Sequence, residues 1–356
     1  MKGINTTVKY NSIDMAKLIC SILVVMIHIA PFGKQTSTNI LSYLNFGLSQ
    51  CLCRIAVPLF FIFNGFFLYK KTPLEKFSIQ YSKKYFFHIL KLYLLWSLIY
   101  FPIKLIGILN NPKGIVYGFV GYFKDLICVG SYTHLWYLNA LLFAVALISF
   151  LLHKKWTPKK ILLTSSFFYI IGLLGDGYYG IISPLLQFPF VGEIINIYFK
   201  IFSTTRNGLF FAFFFVSLGM ILSGKEIKIS RKKSLFFFIL SLFLLYTEVF
   251  VITHFDIAKD RNILLFTIPS ALFCFLYLKK VKLKDTKRNI RKISSLIFYS
   301  HVWVIKMVSY CSKILGIHIQ STPLPFLIVL TVTILISIIA IKISNTKKFG
   351  WLKNIY

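Results

Sequence analysis

The stretch SLFFFILSLFLLYTEVFVIT, residues 234–253, contains a single charged side chain, that of Glu248. A helix of this length rises about 30 Å, which matches the hydrocarbon thickness of a bilayer. Nine other apolar runs are long enough to cross a membrane, near 13–33, 50–69, 84–103, 134–152, 161–180, 205–223, 262–278, 293–312 and 325–343. The sequence therefore predicts an all-α, polytopic membrane protein of about ten transmembrane helices.

The composition supports a membrane protein and argues against a nucleic-acid-binding one. Of the 356 residues, 57% are hydrophobic and 14% are charged, which is too little charged surface for a soluble domain. The net charge of +31 would suggest nucleic acid in a soluble protein, but these charges lie in short segments between apolar runs. Their expected counterpart is the anionic cytoplasmic leaflet. We expect one transmembrane domain over 1–356, with no soluble domain.

The loop charges predict the orientation. Alternate segments, beginning with the N-terminus, hold 28 Lys and Arg residues, whereas the intervening loops hold 8. The positive-inside rule then places both termini in the cytoplasm. The two longest loops, 104–133 and 181–204, are predicted outside, where they could form re-entrant or lid segments. No second cysteine pair accompanies Cys51-x-Cys53, so no metal site is expected.

Polar residues inside membrane spans mark candidate sites, because an ionisable group in a bilayer is costly and needs a partner. Sorting these residues by depth predicts an outer layer that contains His28, Arg54, His134, Arg206, Glu248 and His254. Glu248 and His28 share about the same depth, so Glu248 is the candidate partner of the His28 ring. His301 suits a site and a packing role equally well.

A second polar layer is predicted at the inner side. Lys84, His88 and Lys91 are spaced to share one helical face, and Lys17 lies at a similar depth. A cationic inner mouth suits a phosphate-bearing donor that enters from the cytoplasm. The alternatives are that Lys84 extends to lipid headgroups and that the arginines at span ends only anchor helices.

Several motifs resemble acyltransferase family 3. They are SIDMAKLICSILVVMIHIAPF (12–32), RIAVPLFFIFNGFFLYKK (54–71), HILKLYLLWSLIY (88–100), HLWYLNALL (134–142), RNGLFFAFFFVSLGMIL (206–222) and ISSLIFYSHVWVI (293–305). Together they extend the similarity over nearly the whole chain. The resemblance is closest to a branch that includes the membrane half of vancomycin-resistance serine racemases. That branch often shows a Glu and a His like Glu248 and His254.

The resemblance implies a ten-helix protein that moves acetyl or other short acyl groups, usually onto cell-envelope carbohydrates. It implies a functional histidine at His28 and a conserved arginine at Arg54. The chain departs from the family pattern at Lys17, where arginine is usual, and at Asn64, where serine is usual. The family's paired arginines are represented only by the Lys84, His88 and Lys91 cluster, and lysine lacks the bidentate fork of arginine.

These observations lead to a first hypothesis, a plasma-membrane O-acyltransferase with acyl-CoA, particularly acetyl-CoA, as co-substrate and no bound cofactor. His28 would be the general base and Glu248 its orienting partner. The expected acceptor-binding residues are Arg54, Arg206, His134, His254 and His301. The expected acyl-CoA-binding residues are Lys17, Lys84, His88 and Lys91. A small-molecule permease, for example for amino acids, is the alternative, and a receptor or lipid-binding scaffold is a third hypothesis.

Overall fold

The computed structural model describes residues 10–31, 46–71, 77–284, 289–316 and 323–356. These residues form thirteen helices, which are α1 Asn11–Ile29, α2 Gly47–Lys71, α3 Ile79–Leu109, α4 Ile115–Cys128, α5 Trp136–His153, α6 Pro158–Leu174, α7 Tyr179–Gln187, α8 Pro189–Phe202, α9 Gly208–Gly224, α10 Arg231–His254, α11 Thr267–Lys280, α12 Ile290–Ile314 and α13 Pro323–Ser344. A final 3-10 turn, Gly350–Ile355, follows α13.

The helices confirm an all-α, polytopic membrane protein. Among the described residues, α1, α2, α3, α5, α10 and α13 are long and apolar enough to cross a bilayer. The pair α6 and α7, bent by 82°, would add a seventh span. A helix also occupies most of each of the other predicted spans, but α11 has 14 residues and rises only about 21 Å. The count of ten and the cytoplasmic termini stay predictions, and Lys2 and Lys9 lie outside the described residues.

Two predicted span boundaries differ from the structure for the same reason. The span predicted over 161–180 ends as a helix at Leu174, and the one predicted from 262 becomes helical only at Thr267. Asp176 accepts hydrogen bonds from the backbone N–H groups of Asn262 (2.7 Å) and Ile263 (3.0 Å). This carboxylate ties the two chain segments together in non-helical conformations, which a pattern of apolar residues does not reveal.

The segments predicted as long outer loops contain two further helices. Helix α4 lies within 104–133 and helix α8 lies within 181–204. Their sequences carry many exposed apolar side chains, including Val116, Ile127 and Phe190. Both segments therefore contain short apolar helices, and their role as re-entrant or lid segments stays a prediction.

The centre of the bundle depends on a close crossing of α2 and α9. A Cβ atom added to Gly65 would lie 2.2 Å from the carbonyl oxygen of Val216, and one added to Gly219 would lie 2.3 Å from that of Ile62. Small residues let the two backbones touch, as is typical of helix packing in membranes. This contact fixes the position of α2, which carries Arg54 at its outer end.

Helices α1 and α12 pack side by side and form the other side of the region around Arg54. Ser21 on α1 donates to the carbonyl oxygen of Ser294 on α12 (2.8 Å), and their hydroxyl oxygens are also 2.8 Å apart. These buried hydrogen bonds fix the two helices in register, which places His28 of α1 against His301 of α12.

Candidate active site

A cavity of about 510 Å³ opens among the outer ends of α1, α2 and α5 and the segments before α9 and α11. His28, Arg54, His134 and Arg206, four of the residues predicted for the outer layer, line it. This volume is within the range of small-molecule binding sites. The structure thus brings together most of the outer polar residues that were sorted by depth.

Three histidines lie side by side at this cavity, which His28 and His134 line, with His301 buried behind them. The ring of His301 is 5.2 Å from that of His28 and 5.1 Å from that of His134, measured between centroids. His134 and His301 are buried, whereas His28 is exposed to the cavity. Within the described part of the chain, no group of three or more His, Cys, Asp or Glu residues is arranged to hold a metal ion.

Backbone carbonyls fix which ring nitrogens of the two buried histidines carry hydrogen. Nε2 of His134 lies 3.1 Å from the carbonyl oxygen of Tyr299, and Nδ1 of His301 lies 3.0 Å from that of Ile297. A carbonyl can only accept, so these nitrogens donate. In the neutral rings, Nδ1 of His134 and Nε2 of His301 are then acceptors, and both are buried without a partner among the described residues.

Arg54 and Arg206 meet at one amide oxygen. Nη1 of each guanidinium donates to Oδ1 of Asn262, at 2.8 Å in both cases. Nη2 of Arg54 also donates to Gln50 (2.9 Å), and the Arg206 guanidinium stacks 4.6 Å from the ring centroid of Trp136. The two cationic groups are therefore held in fixed positions at the cavity wall.

The loop before α5 closes the cavity on another side. Tyr132 lines it, and the ammonium of Lys104 lies 5.7 Å from the centre of the Tyr132 ring. Burial raises the pKa of the Tyr132 phenol, so its hydroxyl remains a hydrogen-bond donor at neutral pH.

A second cavity, of about 230 Å³, lies toward the end of the bundle that is predicted to face the cytoplasm. Lys17 and His88 line it, as do Asn64 and Tyr85. Asn64 donates to the hydroxyl oxygen of Tyr137 (2.6 Å) and accepts a hydrogen bond from Tyr85. The polar groups of this cavity therefore belong to five different helices, because Ser294, Ser295 and Tyr299 of α12 also line it.

The two cavities meet at shared walls. Tyr137 and Phe298 line both of them, and their rings are 5.2 Å apart between centroids. The inner and outer cavities are thus neighbours that share two aromatic side chains as walls.

The other predicted donor-binding residues lie beside the inner cavity rather than in it. The side chain of Lys84 is exposed. Lys91 donates to Oδ1 of Asn354 (3.0 Å), and Nε1 of Trp96 donates to the carbonyl oxygen of Ile355 (2.9 Å). The turn Gly350–Ile355 is thereby docked on α3, next to the inner cavity.

Glu248 and His254 lie outside the outer cavity. The two carboxylate oxygens of Glu248 accept hydrogen bonds from the backbone N–H groups of Leu265 (2.6 Å) and Phe266 (2.8 Å) and from the hydroxyl of Tyr178 (2.7 Å). His254 is exposed and lies against the Phe250 ring. The structure brings His301, and not Glu248, next to His28, because equal depth along two helices does not fix which of their faces meet.

Sequence reasoning missed three residues of the outer site, Lys104, Trp136 and Asn262. The last of these follows the charged turn Lys259-Asp260-Arg261. The side chain of Asn262 is an uncharged amide, so nothing in the sequence marked it as a site residue. Its importance comes from the two arginines that it joins.

Membrane-spanning helices that enclose two adjoining cavities, the outer one lined by His28 and His134, define a polytopic membrane protein with a site inside the bundle. A family model described as an acyltransferase domain matches residues 10–342, so the chain belongs to acyltransferase family 3 and is a membrane acyltransferase.

Three relatives show which larger proteins share this domain. The chain is 30% identical to an amino-acid racemase of Enterococcus faecalis over 317 residues, which are 88% of this chain and 41% of the relative. A second amino-acid racemase of that species is 29% identical over 92% of this chain and 45% of its own length. A serine/alanine racemase of Enterococcus gallinarum is 28% identical, with the same coverages. The chain thus spans less than half the length of these relatives. No solved structure matches it significantly.

Proposed function

We propose that this acyltransferase resides in the plasma membrane and moves a short acyl group from acyl-CoA, particularly acetyl-CoA, to a hydroxyl of an envelope carbohydrate or a related acceptor. The observation that carries this proposal is the pair of adjoining cavities, which share Tyr137 and Phe298 as walls. An acyl donor that enters from the inner cavity and an acceptor in the outer cavity would meet beside His28.

The inner cavity suits the narrow part of a donor. At about 230 Å³ it has room for an acyl group and part of the thioester arm, but not for a whole acyl-CoA. The phosphates would remain near the cytoplasmic mouth, where Lys17 and His88 line the cavity and Lys84 is exposed. An ammonium binds phosphate as a point charge, which is sufficient to retain such a group.

The outer cavity suits the acceptor and the proton transfer. The His28 ring faces this cavity, so it can take the proton of an acceptor hydroxyl as the oxygen attacks the thioester carbonyl. The new C–O bond forms, the C–S bond breaks, and the proton held by His28 passes to the leaving thiolate. His301 packs against His28 and would hold its ring in position, and His134 packs against His301.

Release of CoA from acetyl-CoA by the purified chain in nanodiscs tests this function. A thiol-reactive dye follows the release, and mass spectrometry of envelope glycans from cells with and without the protein identifies the ester. We expect His28→Gln to lower kcat by about 10²–10⁴-fold, as is typical of a lost general base. His153→Gln is the matched control, because His153 is exposed at the end of α5. Full turnover by a folded His28→Gln variant would contradict the assignment.

A permease is the second candidate, and the same pair of cavities favours it. Two cavities that share Tyr137 and Phe298 as walls would also suit an occluded pathway. The names of the relatives suggest an amino acid such as serine or alanine as cargo. Accumulation of labelled serine in sealed proteoliposomes, without CoA release, would support transport and reject the acyl-transfer proposal.

A further inference from the structure

The two arginines of the outer cavity make no direct ion pair within the described part of the chain, although Asp176 and Asp260 interact with both at longer range. Among the described residues, no carboxylate lies within the 4.0 Å of an ion pair from either guanidinium. The Nε–H groups of Arg54 and Arg206 are buried and have no hydrogen-bond partner there. Their shared acceptor is the neutral amide oxygen of Asn262. Partly desolvated charges in this state are costly unless a ligand compensates them.

The positions of the two guanidiniums are fixed by hydrogen bonds to Asn262 and by stacking on Trp136. Asp176 accepts hydrogen bonds from the backbone N–H (2.7 Å) and the side-chain amide (3.3 Å) of Asn262, which directs Oδ1 of that amide toward both arginines. Trp136 holds the plane of the Arg206 guanidinium by stacking at 4.6 Å. Rigid placement of planar cationic forks is the arrangement that recognises carboxylate and phosphate groups.

The remaining charges of the cavity leave an excess of cations. Lys104 is a third cation in the wall, whereas Asp125 and Asp260 are its two carboxylates. Asp125 already has a cationic neighbour outside the cavity wall, Lys124, at 3.4 Å. An anionic ligand would therefore be drawn toward the arginine side of the cavity.

We propose that the acceptor carries an oxyanion group, a carboxylate or a phosphate, which binds between Arg54 and Arg206. This inference rests on the proposed function. His28 lines the same cavity, so the hydroxyl that receives the acyl group must belong to the same ligand that the arginines bind. A cavity of about 510 Å³ has room for a sugar of one or two rings with such a group. The arginines set the orientation of the acceptor by its charge, and the hydroxyl is thereby directed toward the histidine.

Equilibrium binding of three sugars to the full chain in nanodiscs tests the inference. D-glucose, D-glucuronate and D-glucose 6-phosphate share one ring and differ in the charge at one position. We expect at least one of the two anionic sugars to bind about tenfold or more tightly than glucose, since each charge-assisted hydrogen bond contributes severalfold or more. The sugar that shows the larger preference distinguishes a carboxylate site from a phosphate site.

Variants separate the arginine site from general electrostatics. Arg54→Gln and Arg206→Gln should each reduce the preference for the anionic sugar, and Arg54→Lys should retain part of it because the charge remains. Arg261→Gln is the matched control and should keep the full preference, since Arg261 lies outside the cavity lining and donates to Thr253.

Equal binding of the three sugars, no binding of either anionic sugar, or a preference that persists in the Arg54→Gln/Arg206→Gln double variant would overturn the inference. The binding preference needs no catalysis, so its failure is distinguishable from failure of the proposed function. Absence of CoA release from the wild-type chain would reject acyl transfer, independently of the result of the sugar-binding measurement.

Discussion

The imidazole of His301 packs against that of His28, with 5.2 Å between ring centroids, and the Nδ1–H of His301 is directed to its own helix at the carbonyl oxygen of Ile297. Helix α12 thus supplies the neighbour of the proposed base. Glu248 on α10, at the same predicted depth, was expected beside His28, but its carboxylate has other hydrogen-bond partners.

The first prediction concerns this histidine pair. If His301 positions the His28 ring, His301→Gln should lower kcat about tenfold with little change in the donor KM, and it should alter the pH profile of kcat. The double variant His28→Gln/His301→Gln should be little slower than His28→Gln alone, because the two residues act as a unit.

Steady-state CoA release across about pH 5.5–8.5 measures both effects, since this range extends from about one unit below to about two units above the ordinary histidine pKa. The control is again His153→Gln. Multiplicative losses in the double variant would show that the two histidines act independently.

The second prediction assigns a stabilising role to Glu248. Its carboxylate accepts two backbone N–H groups at the start of α11 and the hydroxyl of Tyr178. In Glu248→Gln, the NH2 group of the new amide would face the N–H and O–H donors that the carboxylate now accepts from. We therefore expect a loss of about 1–3 kcal/mol in unfolding free energy.

Thermal unfolding in detergent measures this change, and Glu193→Gln on the exposed face of α8 is the control. Turnover per folded molecule should change less than the stability. A large loss of kcat at unchanged stability would instead favour the role of Glu248 in orienting His28.

The third prediction concerns donor binding. Lys17 lines the inner cavity, and its ammonium lies 4.8 Å from the centre of the Phe67 ring. Lys17→Gln should raise the KM for acetyl-CoA about tenfold, because a charge-assisted phosphate contact contributes about 1.5–3 kcal/mol.

The ratio of variant to wild-type KM should shrink at high salt, since screening weakens the contact that the variant lacks. Lys159→Gln is the control on the same predicted side of the membrane, where Lys159 is exposed. An unchanged donor KM in Lys17→Gln would assign the phosphates to other residues.

The fourth prediction tests the crossing of α2 and α9. Gly65→Ala would place a methyl group 2.2 Å from the carbonyl oxygen of Val216, so the helices must separate. Such overpacking costs about 1–3 kcal/mol, and we expect a lower midpoint of thermal unfolding. Gly121→Ala should be tolerated, because an added Cβ there has no atom within 4 Å. Equal stability of the two variants would contradict the close crossing.

The sequence alone determined the class of structure and the heights of the polar residues. Apolar runs of about twenty residues must be helical in a bilayer, because every backbone group has to find its hydrogen bond within the segment. A constant rise per residue then gives each side chain a predicted depth, and this grouped His28, Arg54, His134 and Arg206, which line one cavity. The motifs around these residues also indicated the family.

Only the tertiary structure decided which of those residues meet. Depth describes position along a helix, but contact also depends on the rotation of each helix and on which helices are neighbours. The Ser21–Ser294 hydrogen bonds and the Gly65–Val216 contact fix the rotation of these helices and their neighbours. As a result, His301 and not Glu248 is the neighbour of His28. Asn262 joins Arg54 to Arg206 because Asp176, distant in sequence, holds its loop in place, and no local pattern encodes that contact.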